Sequence, residues 1–246
     1  MIRIAAVGDI HLGADARGLL RPALDWLGAQ ADVLLLAGDL TRHGSVAEAE
    51  VVVDEFAALD VPVLAVLGNH DYHSDAAGEI TGMLEAGGIR VLEGEATTLE
   101  VGGHRLGVAG VKGFGGGFAG KCASAFGERV MKDFVEHTAD VSARLAEALS
   151  GLDADAIVAL THYAPVPDTL RGEPPEIYPF LGSYLLGEAI DQADADLALH
   201  GHAHFGCEQG VTPGGVRVRN VAQPVIGAAY RVYCLEPVSH SRRSCI

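Results

Sequence analysis

Val61-Pro-Val-Leu-Ala-Val-Leu67 runs directly into Gly68-Asn69-His70-Asp71. An apolar run with β-branched residues, closed by glycine, has the pattern of a buried strand. In open α/β sheets, ligands collect just outside the carboxyl ends of the strands. Asn69, His70 and Asp71 are therefore expected to project together into a site. A single Gly-Asn-His-Asp is also an ordinary turn, because Gly, Asn and Asp tolerate turn backbone. The functional reading rests on recurrence. Apolar stretches also end at Asp9 and His11, at Asp39, at His162, and at His202 and His204.

Working outward, residues 2–7 read as a strand, followed by a helix over about 20–30 from the spacing of Leu20, Ala23, Leu24 and Leu27. Val33–Ala37 is a second strand. Ser45 with Glu48 makes a capping box for a helix whose apolar side carries Val46, Val52, Val53, Phe56 and Leu59. The strand at 61–67 follows, then a helix over about 75–86 that stops at Gly87-Gly88. Strand and helix alternate, which argues for parallel strands joined by helical crossovers.

The middle changes character. Gly102-Gly103, flanked by residues 96–101 and 104–110, signals a two-residue hairpin. A glycine-rich loop follows, then a long helix with Val130, Phe134, Val141, Leu145 and Leu149 on one side. Residues 156–161 form a strand ending at His162, and a proline-rich loop runs from Tyr163 to about Leu181. A helix near 183–192 leads to the strand Leu197–Leu199, and the remainder reads as antiparallel strands with a last one near 230–235. No repeat or linker divides the chain, so a single domain over 1–246 is expected.

Bulk properties narrow the function. The chain has 246 residues and a formal net charge of −16. So acidic a surface repels a polyphosphate chain, which disfavours extended nucleic-acid binding without a partner. Bound divalent cations would still make the mouth of a site locally positive. Cys122, Cys207, Cys234 and Cys245 are scattered and imply no disulfide framework or thiolate zinc site, with Cys245 expected to be loose near the terminus. With no signal-peptide pattern and no apolar run of about 18 residues, a soluble cytoplasmic protein is expected.

Leaving His70 aside, the strand ends carry seven oxygen or nitrogen side chains: Asp9, His11, Asp39, Asn69, His162, His202 and His204. Asp-x-His and His-x-His place both members of a pair on one side of an extended backbone, since side chains alternate. Carboxylate and imidazole donors without thiolate suit Mn²⁺, Fe, Co²⁺, Ni²⁺ or Zn²⁺. Seven donors exceed one tetrahedral ion and suit two divalent transition-metal ions bridged by a carboxylate.

The order Asp-x-His, Gly-Asp, Gly-Asn-His-Asp, His, Gly-His-x-His resembles the calcineurin-like metallophosphoesterase family, with every motif intact between residues 9 and 204. The resemblance implies an α/β fold, a four-layer αββα sandwich of two mixed β-sheets flanked by helices. It implies that Asp9, His11 and His204 hold one metal, that Asp39 bridges, and that Asn69, His162 and His202 hold the other. A hydroxide between the ions would attack phosphorus in line. His70 would protonate the leaving oxygen or donate to the phosphoryl oxygens, and Asp71 would orient His70 and favour its protonated form. The activity implied is hydrolysis of P–O bonds in a small phosphorylated substrate, a phosphodiester or nucleotide ahead of a phosphomonoester. A nuclease subunit beside a DNA-binding partner and a non-catalytic binding scaffold are the competing readings; the intact His70 and ligand set argue against the scaffold.

Several features stand outside this set. Gly115 to Cys122 is one residue short of a Walker A loop and puts Cys122 where a Mg²⁺-binding Ser or Thr belongs, so a flexible loop beside the site is expected. Lys121 is then a solvated surface lysine or an anion contact. His200 should face the same way as His202, either supporting the ligands or buried and bonded to backbone. His43 and His73 are expected near the cleft, and Tyr163, Arg171 and Tyr178 are candidate contacts for a phosphate or a base.

Overall fold

The computed structural model describes residues 1–237; Cys245 lies outside them. The first strand, β1 (Ile2–Val7), leads through two short helices, α1 (Arg21–Leu24) and α2 (Leu27–Gln30), to β2 (Val33–Ala37). A single helix is expected there, but the chain breaks at Asp25–Trp26. No side chain caps either piece, and Gly28 weakens the second. Then come α3 (Val46–Phe56), β3 (Val63–Val66), α4 (Ala77–Ala86) and β4 (Ile89–Val91). The Ser45–Glu48 capping box is present in both directions. Val46 faces solvent, while Val51, Val52 and Phe56 face inward.

The hairpin β5 (Glu95–Val101) and β6 (His104–Val111) turns on Gly102 and Gly103, both at positive φ (56° and 81°), the backbone a two-residue turn requires. In the glycine-rich loop, β7 (Gly117–Phe118) and β8 (Lys121–Cys122) form a small second hairpin, with Cys122 exposed. The Walker-like stretch therefore lacks the strand–loop–helix context of a phosphate loop. The long helix α5 (Arg129–Ser150) buries Val141, Leu145 and Leu149, but Val130 is exposed. Then follow β9 (Ala156–Thr161), α6 (Tyr178–Leu181) within the proline-rich loop, and α7 (Tyr184–Gln192). The chain continues through β10 (Leu197–His200), β11 (Gln209–Val211), β12 (Arg217–Asn220), α8 (Gln223–Ile226) and β13 (Arg231–Leu235).

Two mixed sheets result, in orders β13-β1-β2-β3-β4 and β11-β12-β10-β9-β6-β5. Alternation along each strand divides the apolar residues between layers. Ile2, Ile4, Ala6, Val33, Leu35, Leu64 and Val66 meet Leu106, Val108, Val158, Leu160, Leu197 and Leu199 between the sheets. The residues alternating with them pack outward: Leu34, Leu36 and Ala65 against the helices of the first half, and Ala109, Ile157 and Ala198 against α5 and α7. Each strand is apolar on both faces because each sheet is covered on both faces. The expected four layers, helix on sheet on sheet on helix, are what the chain forms.

The last third is antiparallel only in part: β11 pairs antiparallel with β12, as expected. β12 pairs parallel with β10, and β13 crosses to the first sheet, antiparallel to β1. These strands are three to five residues long, too short for composition to choose their partners.

Candidate metal centre

The site lies where the carboxyl ends of β1, β2 and β3 from one sheet meet those of β9 and β10 from the other. The turns are stitched side by side through backbone. Asp9 N donates to Gly38 O at 2.9 Å, His11 N to Asp39 O at 3.0 Å, and Gly201 N to His162 O at 3.1 Å.

The ligand pairs do not converge through an extended backbone. Asp9, His11, Asp39 and His202 stand at φ of 57°, 43°, 51° and 71°. Non-glycine residues rarely adopt this left-handed region, and such strain concentrates at functional sites. Period-two alternation therefore does not operate at Asp9-Ile10-His11 or His202-Ala203-His204; the positive φ turns the side chains inward instead. The glycine before each motif has its own cause. A Cβ on Gly68 would sit 2.1 Å from Asp39 Oδ1, and one on Gly201 would sit 2.2 Å from Asp9 Oδ2.

All seven expected side chains come together. Asp9, His11, Asp39 and His204 offer donor atoms within 4.8 Å of one another, as do Asp39, His162 and His202. Asn69 Oδ1 lies 3.0 Å from His162 Nε2. Asp39 belongs to both groups: its Oδ2 is 3.7 Å from His11 Nε2, and its Oδ1 is 3.4 Å from His162 Nε2. His162 Nδ1 donates to the Ala37 carbonyl (2.9 Å), which fixes its tautomer and aims Nε2 at the centre. His202 Nε2 donates to the Phe180 carbonyl (3.2 Å), leaving Nδ1 for a ligand.

Burial sets the electrostatics. It pushes the Asp9 carboxyl up to about 6, with Asp39 nearby adding to the effect, against the hydrogen bond from His204. It keeps the His162 imidazole neutral well below its ordinary range and brings His202 down to about 3, helped by His162. His204 is raised, first by its bond to Asp9 at 2.8 Å. Buried carboxylates facing neutral imidazoles need a cation for balance, and neutral imidazole is the form that binds metal. The donor set therefore fits divalent ions.

His70 stands at the rim, half exposed, its ring 4.5 Å from that of His11. Its Nδ1 donates to the Arg42 carbonyl at 2.8 Å, and its Nε2 is 4.0 Å from Asp39 Oδ2. Asp71 does not orient it. The Asp71 carboxylate is fully buried and accepts from Gly68 N (2.8 Å), Leu40 N (3.2 Å), Thr41 N (2.8 Å) and Thr41 Oγ1 (2.6 Å). The turn after His70 points the carboxylate back under the loops, away from the ring. Burial pushes this carboxyl up to about 6 against those bonds.

His200 is buried, donating from Nδ1 to the Gly201 carbonyl (2.7 Å) and accepting at Nε2 from Thr169 (2.8 Å). This is the backbone-bonded alternative. His43 leans on Glu48, its Nδ1 3.2 Å from Oε1, and its ring is 6.3 Å from that of His73. Arg171 is exposed, and the Tyr178 hydroxyl donates to the Leu170 carbonyl at 3.0 Å. Lys121 Nζ lies 5.3 Å from the Tyr178 ring centroid. Tyr163 does reach the centre, its ring 4.3 Å from that of His202. Lys112, directly after β6, packs on that Tyr163 ring, its Nζ 5.2 Å from the centroid, and is a residue the sequence reading does not single out. The signal was available, since it too is a polar residue closing an apolar strand. Cys122, Cys207 and Cys234 are free thiols. Among the described residues no helix is long and apolar enough to cross a membrane.

Two mixed sheets with paired carboxylate and imidazole groups at their shared edge define a metallohydrolase-like α/β protein. The chain belongs to the calcineurin-like phosphoesterase family, which it matches over residues 2–206. Membership supports a metal-dependent hydrolase of phosphoesters. A stretch of 80 residues is 36% identical to a probable cyclic nucleotide phosphodiesterase of Synechococcus sp., covering 28% of this chain and 31% of that protein. The phosphopantetheinyl hydrolase of Mycobacterium tuberculosis has the same fold, with a TM-score of 0.69 at 15% identity over 95% of this chain and 96% of that one. So does GAP50, the anchor in the inner membrane complex of Plasmodium, with a TM-score of 0.53 at 15% identity over 91% and 72%. A fold shared by a hydrolase and an anchor leaves function to be argued from the site.

Proposed function

We propose that this chain is a binuclear metal-dependent phosphodiesterase acting on a small phosphodiester or nucleotide. The observation that carries the reading is Asp39, whose two carboxylate oxygens face His11 and His162 respectively. Asp9, His11 and His204 would hold one ion with Asp39, and Asn69, His162 and His202 would hold the other. When bound, two such ions lower the pKa of water to make a nucleophile near neutral pH and neutralise phosphoryl charge.

The chain's own residues do the rest. Burial keeps His162 and His202 neutral and ready to ligate. His70 acts as the imidazolium: with its Nδ1–H on the Arg42 carbonyl, its Nε2–H, on the Asp39 side, is the proton given to the leaving oxygen, and the ring is left neutral. Asp71 holds the backbone beneath both Asp39 and Asn69. The diester preference is supported by the relative described as a probable cyclic nucleotide phosphodiesterase, and the small substrate by the acidic surface of net charge −16.

The test is hydrolysis by Mn²⁺-loaded protein of an aryl phosphodiester, an aryl phosphomonoester and a cyclic nucleotide. Faster turnover of a diester than of the monoester is expected. Turnover of the monoester alone would make the protein a phosphomonoesterase, and no turnover of any of them would remove the enzyme reading.

A further inference from the structure

Five strand ends supply the candidate ligands; a sixth, that of β6, supplies Lys112. Its Nζ lies 5.0 Å, 5.1 Å and 5.2 Å from the ring centroids of Tyr72, Phe114 and Tyr163. Two of these rings are close in sequence to the centre: Tyr72 lies two residues after His70, and Tyr163 follows His162. Tyr163 also packs on His202 at 4.3 Å. The Lys112 carbonyl accepts from His162 N at 2.9 Å and from Tyr163 N at 3.0 Å, so this strand end and the His162 turn are one unit.

The ammonium is poorly occupied where it stands. Its hydrogen bond, to the Gly113 carbonyl, is 3.4 Å long, at the weak limit for such a bond. The neighbouring acid, Glu93, uses its carboxylate on the Lys112 backbone N–H at 3.1 Å and on Arg144 at 3.0 Å. Three aromatic faces hold a cation in place without neutralising it. A lysine ammonium carries three donors, so this one has capacity for an anionic oxygen.

We propose that Lys112 is a substrate contact on the His162 and His202 side of the centre, donating to a non-bridging oxygen of the phosphoryl group. The role rests on the phosphoesterase reading above and adds to it a residue outside the ligand set. The aromatic rings position the ammonium, and no bond to Lys112 forms or breaks during turnover.

The experiment compares Mn²⁺-loaded wild type with Lys112→Met, Lys112→Gln and Lys112→Arg on an aryl phosphodiester, with inorganic phosphate as a competitive inhibitor. Metal content is measured for each. A charged hydrogen bond lost in a sheltered site lowers kcat/KM by roughly 10-fold to 100-fold. That loss is expected in the Met and Gln variants, together with phosphate inhibition weakened by a similar factor and metal content unchanged. The Arg variant, which keeps the charge, should recover part of both. Met and Gln variants within twofold of wild type in kcat/KM and phosphate inhibition would overturn the role. So would equal losses of activity and metal in all three variants, which would mark a structural lysine. A loaded wild type that neither hydrolyses a phosphoester nor binds phosphate would instead remove the phosphoesterase reading, and this role with it.

Discussion

Asp71 supports the centre from beneath. Its carboxylate ties Gly68 of one turn to Leu40 and Thr41 of another, and those turns carry Asn69 and Asp39. Asp71→Ala leaves these donors buried without an acceptor, at about 1–3 kcal/mol for each group left unmet. We expect the variant to lose at least about 2 kcal/mol in metal-free denaturant unfolding and to bind less metal; stability within about 0.5 kcal/mol of wild type would show that the carboxylate is dispensable. Gly68→Ala acts more locally. Its Cβ would lie 2.1 Å from Asp39 Oδ1 and 2.2 Å from Asp39 N, so the carboxylate must move. The expected result is loss of bound metal with the far-ultraviolet circular dichroism spectrum of wild type; full metal content would contradict it.

Between elements, Asp32 closes the start of β2 onto β1. It accepts from Arg3 N at 2.8 Å and from the Arg3 guanidinium, which holds its carboxyl below the usual carboxylate range. A depressed carboxyl contributes stability that is present above its unfolded value of about 4 and lost as the pH falls through the lower folded value. The stability gap between wild type and Asp32→Asn should therefore be open at neutral pH and close on acidification below about 4. A gap that stays constant over that range in pH-dependent unfolding would assign the pair no such role.

Much at this scale was legible in the chain. The strands announce themselves as short apolar runs closed by glycine or a polar turn, the Ser45–Glu48 box marks a helix start, and Gly102-Gly103 marks a hairpin. The identity of the candidate ligands was legible for the same reason, since each follows a strand. Pairing was not. Nothing in Arg217–Asn220 or Arg231–Leu235 says that the first joins β10 and the second crosses to β1. Nor was the mechanism of convergence visible: positive φ at Asp9, His11, Asp39 and His202 is a tertiary outcome, held by neighbouring loops. Adjacency to His70 in sequence does not fix where the turn points the Asp71 carboxylate, which goes to Gly68 and Thr41 instead.

For the whole molecule, the centre joins the two sheets. Asp9, His11, Asp39 and Asn69 come from strand ends of one, and His162, His202 and His204 from those of the other. A ligand bound only by the native state stabilises it by mass action, about 2.7 kcal/mol at a free concentration 100 times Kd. Added Mn²⁺ should therefore raise Tm in wild type and much less in Asp39→Asn; equal shifts in both would place the binding elsewhere.

The shared carboxylate makes the sharpest prediction of all, and elemental analysis of metal-reconstituted, gel-filtered protein reads it directly. The wild type should carry about two ions per chain, and Asp39→Asn should fall well below that while remaining folded. Wild type holding no metal, or Asp39→Asn holding as much as wild type, would contradict a binuclear centre bridged by Asp39.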